Sequence, residues 1–292
     1  MSPTNGTDEA FPIMAERITV AFQKGGVGKT FISTNLAGGL ADNGLDTLLI
    51  DLDPQGSLTA NLGHGEAYMD PDVTSLDEIL LNVKKWDTAD EIIITDHEEF
   101  DLLPANATFS ANRTPLDSSS NSDERLDKVL QRLDHEYDYV IMDTPPSLDA
   151  YTRNSIIASK QLVVPVSPIY EMIHSTNLLL EMIEEFELVH DIEIEYLACV
   201  LNAVNYSNLS TEDEEMIDWF WETFEEIGYE LRERAAFDRS KWANDADTIY
   251  SYEEARNCDQ FEQFDTLVQD IIQRTNPQHQ SQLAGSATGG GD

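Results

Sequence analysis

Residues 24–30, with the sequence KGGVGKT, combine three glycines with two lysines and a threonine. Glycines let the backbone N–H groups of a tight turn point inward around an anion, and a helix that follows adds the positive end of its dipole. In such a loop Lys29 would reach the β- and γ-phosphates of a nucleotide, and the Thr30 hydroxyl would bind Mg²⁺. The pattern therefore predicts a nucleotide site built on a phosphate-binding loop.

The segments on either side of the loop have the character that such a loop requires. Residues 18–22, ITVAF, form an apolar run that is typical of a short buried strand. After the loop, apolar residues at helical spacing between Phe31 and Leu40 predict a helix, and Gly44 is a plausible C-terminal cap. The alternative is an incidental glycine-rich turn, which explains neither the strand and helix on either side of the loop nor the two lysines within it.

Three carboxylates follow predicted strands. Asp51 and Asp53 come directly after the apolar run at 47–50, and Asp143 ends a second apolar run at 137–142. Ligands of open α/β sheets bind beyond the carboxyl ends of the strands, so these side chains are expected beside the loop, with Asp143 near Mg²⁺. In so acidic a chain, Asp51 and Asp53 could instead form an ordinary acidic turn, and Asp143 could cap the turn after it.

Three segments together resemble the deviant-Walker ATPases of the ParA/MinD family: KGGVGKT at 24–30, DLDPQG at 51–56 and DTPPS at 143–147. The resemblance extends over roughly residues 17–272 and implies ATP and Mg²⁺ as cofactors. In that family the lysine equivalent to Lys24 crosses a dimer interface and contacts the phosphates of the partner's ATP. Such a charge supplied in trans would act where negative charge develops in the transition state.

The resemblance also implies roles for individual residues. Asp53 would orient the attacking water, Asp51 would support the water shell of Mg²⁺, and Asn202 would hydrogen-bond the adenine edge. One departure concerns Phe31, because the family usually has a second hydroxyl residue there that contacts the α-phosphate. The implied catalytic residues are Lys24 and Asp53, and the implied metal residues are Thr30, Asp51, Asp53 and Asp143. The implied nucleotide contacts are Lys24, Gly25, Gly26, Val27, Gly28, Lys29, Thr30, Phe31 and Asn202.

The apolar runs predict an α/β fold. Runs at 162–166 and 196–202 are apolar almost throughout, which is typical of strands in a parallel sheet with helices on both faces. We therefore expect a doubly wound, mostly parallel P-loop fold in a single domain over 16–275. A polar extension (1–15) and a disordered tail (276–292) would flank it. Other expected elements are short strands at 92–94 and 100–104, helices at 76–81, 125–133, 170–189, 212–227 and 260–274, and a polar loop at 112–122.

The charge is strongly acidic. Seventeen Lys and Arg residues against 56 Asp and Glu give a net charge of −39, dispersed along the chain. This composition is typical of a salt-accumulating halophile, although an acidic mesophilic protein with a basic partner is an alternative. Cys199 and Cys258 have no metal-binding spacing and suit a reducing cytoplasm. The sequence contains neither a signal peptide nor a long apolar span, so we expect a cytoplasmic protein without a membrane anchor.

The resemblance implies a dimerising ATPase switch of the ParA type in chromosome or plasmid partition, with a ParB-like protein stimulating hydrolysis and possible association with the nucleoid. Basic residues after position 230 could contact DNA non-specifically or form solvated ion pairs: Arg232, Arg234, Arg239 and Lys241. A MinD-like positioning ATPase is one alternative, but residues 278–292 provide no basic amphipathic helix. A metabolic P-loop enzyme, which would not need Lys24, is another. The positions of the cysteines disfavour a nitrogenase-type reductase.

Overall fold

The computed structural model describes residues 15–70, 72–240 and 248–275. Its centre is a sheet of seven parallel strands in the order β3-β2-β4-β1-β5-β6-β7. The predicted parallel α/β fold is thus confirmed. The strands are β1 (Glu16–Val20), β2 (Thr47–Asp51), β3 (Asp101–Leu103), β4 (Tyr139–Asp143), β5 (Gln161–Val166), β6 (Glu195–Val204) and β7 (Gly228–Arg232).

Twelve α-helices and two 3₁₀ segments lie within the described ranges. The 3₁₀ segments are Val83–Ile92 and Ser122–Glu124. The helices are α1 (Lys29–Asp42), α2 (Ser57–Asn61), α3 (Gly65–Met69), α4 (Leu76–Leu81), α5 (Phe109–Asp117), α6 (Arg125–Leu130), α7 (Ala150–Ser159), α8 (Glu171–His190), α9 (Thr211–Phe224), α10 (Ala235–Ser240), α11 (Glu253–Arg256) and α12 (Phe261–Thr275). The predicted extension, except Ala15, and the predicted tail lie outside the described residues.

Helices cover both faces of the sheet, which explains why its strands are apolar throughout. Neighbouring residues of β5 point to opposite faces: Val163 packs with Leu36 of α1 and Leu267 of α12, whereas Val164 packs with Phe220 of α9. Both valines are fully buried. Because β1 lies between β4 and β5, the loop that follows it opens at the centre of the carboxyl edge of the sheet.

Two local expectations were wrong, and one strand was not predicted. Residues 92–94 do not form a strand, since Ile92 ends a 3₁₀ segment and Ile94 makes an isolated antiparallel bridge to Leu102. Much of the predicted loop at 112–122 belongs to α5, whose polar surface obscures a buried face formed by Phe109 and Leu116. Strand β7 was not predicted, because GYELR is a short, half-polar segment at the edge of the sheet.

Helix α1 carries two glycines, Gly38 and Gly39, on the face that meets the C-terminal part of the chain. A Cβ atom at Gly39 would lie 2.7 Å from Cγ2 of Val268 on α12 and 2.8 Å from the ring of Tyr250. Contacts this short are not found in packed interiors, so only glycine allows α12 to pack this close to α1. The same packing places α12 behind the start of α1, next to the predicted site.

We expect Gly39→Ala to destabilise the fold by about 1–3 kcal/mol, because overpacking outweighs the gain of roughly 1 kcal/mol in helix propensity. The measurement is urea unfolding in concentrated KCl. Gly65→Ala is the control, since an added Cβ on α3 meets nothing within 4 Å. A Gly39→Ala protein as stable as the Gly65→Ala protein would show that α12 can shift to make room.

Candidate nucleotide-binding site

The predicted phosphate-binding loop connects β1 to α1, and two of its glycines have positive φ angles. Gly26 has φ of 80° and Gly28 has φ of 96°, in the left-handed region that favours glycine. At Gly28 a Cβ atom would also lie 2.0 Å from Nδ2 of Asn202. The loop therefore needs a glycine at position 28 for its backbone conformation and for its close approach to β6.

Lys29 begins α1 and is 7% exposed. Its Nζ donates a hydrogen bond to the carbonyl oxygen of Lys24 at 3.2 Å, so the side chain folds back over the loop. Burial lowers the pKa of Lys29, and the carboxylates of Asp143 and Asp53 oppose this effect. An anion in the loop would stabilise the buried ammonium group directly, which is what a phosphate site requires.

Asp143 ends β4 and is 1% exposed. Its Oδ2 accepts a hydrogen bond from the Thr30 hydroxyl at 2.7 Å, and its Oδ1 accepts one from the Ser33 hydroxyl at 3.0 Å. Burial, followed by the nearby carboxylate of Asp51, raises the pKa of Asp143 to about 7. Our sequence reasoning did not include Ser33, although its position three residues after Thr30 places both hydroxyls on the same face of α1.

Asp51 is fully buried at the end of β2, where it pairs in register with Asp143. Its Oδ2 accepts from the backbone N–H and the hydroxyl of Thr59 at 2.9 and 2.7 Å, and its Oδ1 accepts from the N–H of Asp53 at 3.0 Å. Burial raises the pKa of Asp51 to about 6. These contacts assign Asp51 to holding residues 53–59 in place, and its role beside Mg²⁺ stays a prediction.

The two residues expected to act in catalysis lie at the rim of the site. Asp53 is partly exposed and lines the cavity, and its Oδ1 accepts from the N–H of Gln55 at 2.9 Å. Lys24 is exposed at the start of the loop. Both are therefore accessible to a water molecule or to a second subunit, whereas Lys29 and Asp143 are buried.

Asn202 lies on β6, beneath the loop. Its Nδ2 donates to the carbonyl oxygen of Val27 at 3.0 Å, and its side chain is not among those that line the cavity. The structure thus brings Asn202 to the loop backbone, whereas its predicted contact with adenine is untested. This loop contact was not visible in the sequence, since 175 residues separate the two partners.

A cavity of ≈ 390 Å³ opens over the loop and the first turns of α1. Its walls include side chains that sequence reasoning did not assign to the site, among them Leu62 after α2 and Ser240 at the end of α10. Its full lining is Gly25, Gly26, Gly28, Lys29, Thr30, Phe31, Thr34, Asn35, Asp53, Asn61, Leu62, Pro146 and Ser240.

The arginines considered for DNA binding are paired with acidic side chains. Arg232 contacts Glu230 at 3.1 Å, Arg234 contacts Asp259 at 2.5 Å and Arg239 contacts Glu254 at 2.9 Å. The fourth residue of the predicted cluster, Lys241, lies outside the described residues. For the three arginines the geometry agrees with the alternative of surface ion pairs.

Two features are absent from the described residues: a helix that could cross a membrane and a cluster of acidic, His or Cys side chains that could bind a metal. No helix in 15–70, 72–240 or 248–275 is long and apolar enough to cross a membrane. In the same ranges no group of three or more His, Cys, Asp or Glu side chains converges as a metal site. The Thr30 hydroxyl and the Asp143 carboxylate, 2.7 Å apart, place two kinds of oxygen donor beside the loop.

Comparison with known proteins agrees with this geometry. The model of a family described as AAA domain matches residues 15–196. The chromosome partitioning protein ParA of Caulobacter vibrioides is 31% identical over 197 residues, covering 67% of this chain and 72% of that protein. This chain belongs to the ParA family of AAA-domain proteins.

Two further comparisons concern other proteins of partition and sporulation. The sporulation initiation inhibitor protein Soj of Bacillus subtilis is 36% identical over 170 residues. The match covers 58% of this ParA-family chain and 65% of Soj, so the chain spans less than two thirds of that relative. A putative plasmid partition protein of Borrelia burgdorferi bound to AMPPNP has a TM-score of 0.72, 22% identity and coverage of 89% of this chain and 99% of its own, which shows the shared fold.

The buried Asp143 leads to a prediction about pH. Its pKa is raised from the ordinary value of 3.8 to about 7 in the folded chain. Between pH 3.8 and about pH 7 the folded state therefore holds a proton that the unfolded state has lost. Stability without nucleotide and Mg²⁺ should therefore fall as the pH rises through this window. Asp143→Asn removes the buried charge, so its stability relative to the natural chain should increase from pH 5 to pH 8.

Urea unfolding at several pH values in concentrated KCl measures this difference. Asp218→Asn, which removes an exposed carboxylate from α9, is the control for the change in net charge. A difference between Asp143→Asn and the natural chain that stays constant from pH 5 to pH 8 would contradict the prediction.

Proposed function

We propose that this chain is an Mg²⁺-dependent ATPase of the ParA type that dimerises with ATP bound and separates after hydrolysis. The observation that carries the proposal is the arrangement of Lys29, Thr30 and Asp143 around the loop. A buried ammonium group lies beside a loop with left-handed glycines, and a hydroxyl contacts a buried carboxylate at 2.7 Å. This set of groups suits a nucleoside triphosphate and its metal ion better than an uncharged substrate.

The groups present fit Mg²⁺, which prefers oxygen ligands, few of them from protein side chains. Thr30 and the buried Asp143 would hold the ion, directly or through its water ligands. When bound, Mg²⁺ would neutralise part of the negative charge of the phosphates. Lys29 and the N–H groups of the loop would bind the phosphates, while Asp51 keeps the segment that carries Asp53 in position.

Asp53 is our candidate for orienting the attacking water, because it lines the cavity at the rim instead of being buried with Asp51. Lys24 is our candidate for the charge that acts across a dimer interface. Its exposed side chain starts at the entrance of the loop, while its own carbonyl group holds Lys29. A second chain placed face to face with this one would meet Lys24 before the buried groups.

We further propose that the switch acts in chromosome or plasmid partition in the cytoplasm, at the nucleoid, with a ParB-like protein stimulating hydrolysis. The similarity to ParA of Caulobacter vibrioides supports this role. Non-specific DNA contact through Arg232, Arg234 and Arg239 would have to open their ion pairs with acidic neighbours. Binding to DNA gains less from the release of counterions as the salt concentration rises, so weak DNA binding is expected in concentrated KCl.

Two substitutions test the nucleotide site. Lys29→Ala and Thr30→Ala should each abolish detectable binding of Mg·ATP, because the loop backbone cannot replace a buried ammonium group or a metal ligand. Isothermal calorimetry in concentrated KCl measures the affinity. Lys24→Ala is the matched control, since it removes an exposed lysine of the same loop and should keep ATP binding. Near-normal affinity in Lys29→Ala would contradict the assignment of the site.

A second experiment tests the dimer mechanism against a metabolic P-loop enzyme. Lys24→Ala should bind ATP but fail to dimerise and hydrolyse, because its missing charge belongs to the neighbour's site. Asp53→Ala should bind ATP and remain dimeric without turnover. Light scattering with ATP measures association of each variant and of their mixture, in which Asp53→Ala subunits supply one Lys24 to each mixed dimer. A Lys24→Ala protein with normal association and turnover would favour the metabolic enzyme.

A further inference from the structure

Phe31 presents an aromatic ring to the cavity, one residue after Thr30. It lies on α1 and is half-buried. Along α1 the lining continues from the loop to Phe31, Thr34 and Asn35, away from Lys24 at the start of the loop. The ring thus lies beyond the part of the cavity that would hold the β- and γ-phosphates.

Two other aromatic residues hold the Phe31 ring in place. The Phe237 ring of α10 lies 5.7 Å away with an interplanar angle of 33°, and the Phe264 ring of α12 lies 6.0 Å away, nearly edge-on at 79°. Both distances are in the range of favourable aromatic pairs. The ring is therefore supported from α10 and α12, and the part that remains exposed lines the cavity.

Two polar side chains of the cavity lining, Asn35 and Ser240, are engaged in hydrogen bonds. Asn35 donates to the carbonyl oxygen of Phe31 at 2.7 Å and accepts from the N–H of Ile249 at 2.7 Å. Ser240 donates to the carbonyl oxygen of Phe237 at 2.8 Å. These bonds fix part of the cavity wall, to which the Phe31 ring adds an apolar surface.

We propose that the Phe31 ring packs against the nucleoside part of the bound nucleotide and supplies affinity there. The inference rests on the proposed function, since it concerns the same nucleotide. An aromatic ring offers a charged phosphate no hydrogen bond, but stacking of a base on an aromatic ring is favourable and tolerant of geometry. Its fixed position lowers the entropy lost on binding.

The test compares Mg·ATP with inorganic tripolyphosphate and Mg²⁺, because tripolyphosphate has the phosphates of ATP without the nucleoside. Calorimetry in concentrated KCl measures both affinities for the natural chain, Phe31→Leu and Phe31→Tyr. Leucine keeps an apolar group of similar size in the core, whereas tyrosine keeps the ring. We expect Phe31→Leu to weaken ATP binding about tenfold or more while tripolyphosphate binding stays the same. Phe31→Tyr should retain ATP affinity within about threefold.

Tripolyphosphate binding also reports whether the loop is still folded in each variant. Equal affinity for ATP in Phe31→Leu and the natural chain would overturn the inference, and so would an equal loss for both ligands. If the natural chain binds neither ligand, the proposed function itself fails. If it binds both and Phe31→Leu has lost affinity only for ATP, the ring serves the nucleoside.

Discussion

The structure of the site depends on two buried carboxylates placed side by side in the sheet. Asp51 and Asp143 are in register at the ends of β2 and β4, and neither is exposed to water by more than 1%. Burial raises the pKa of both carboxylates, and the charge of Asp51 raises that of Asp143 further. Thr59 from α2 and Thr30 and Ser33 from α1 supply compensating hydrogen bonds. A site built this way favours a bound cation, because positive charge relieves the unfavourable interaction that folding creates.

Buried and exposed charges respond differently to salt, and this difference explains how so acidic a chain can retain a site that depends on charge. At 1 M salt the Debye length is about 3 Å, so repulsion among exposed carboxylates is screened. Buried groups such as Lys29 and Asp143 are screened much less and keep their interactions. The exposed ion pairs of Arg232 and Arg239 contribute little to stability, and a halophilic origin of the composition stays a prediction.

Local sequence patterns predicted the loop, the apolar strands and the carboxylates at their ends, because each depends on neighbours within a few residues. The same reasoning missed α5 and β7, whose polar residues obscure their periodicity. It also missed contacts between distant segments, such as the packing of the Phe31 ring against the rings of Phe237 and Phe264. Spacing along the chain carries no information about these partners, since the packing of α10 and α12 on α1 creates them.

Asn202 shows how a residue expected from a resemblance can acquire a second role from the fold. Its Nδ2 supports the carbonyl oxygen of Val27, and its side chain fills the space that a Cβ at Gly28 would need. The glycine and the asparagine therefore depend on each other, although they lie on different elements. Since the bond to Val27 uses the amide nitrogen, the amide oxygen can still accept a hydrogen bond, for which the amino group of adenine is a suitable donor. The loop contact and the predicted adenine contact would therefore use different atoms of Asn202, and the adenine contact stays a prediction.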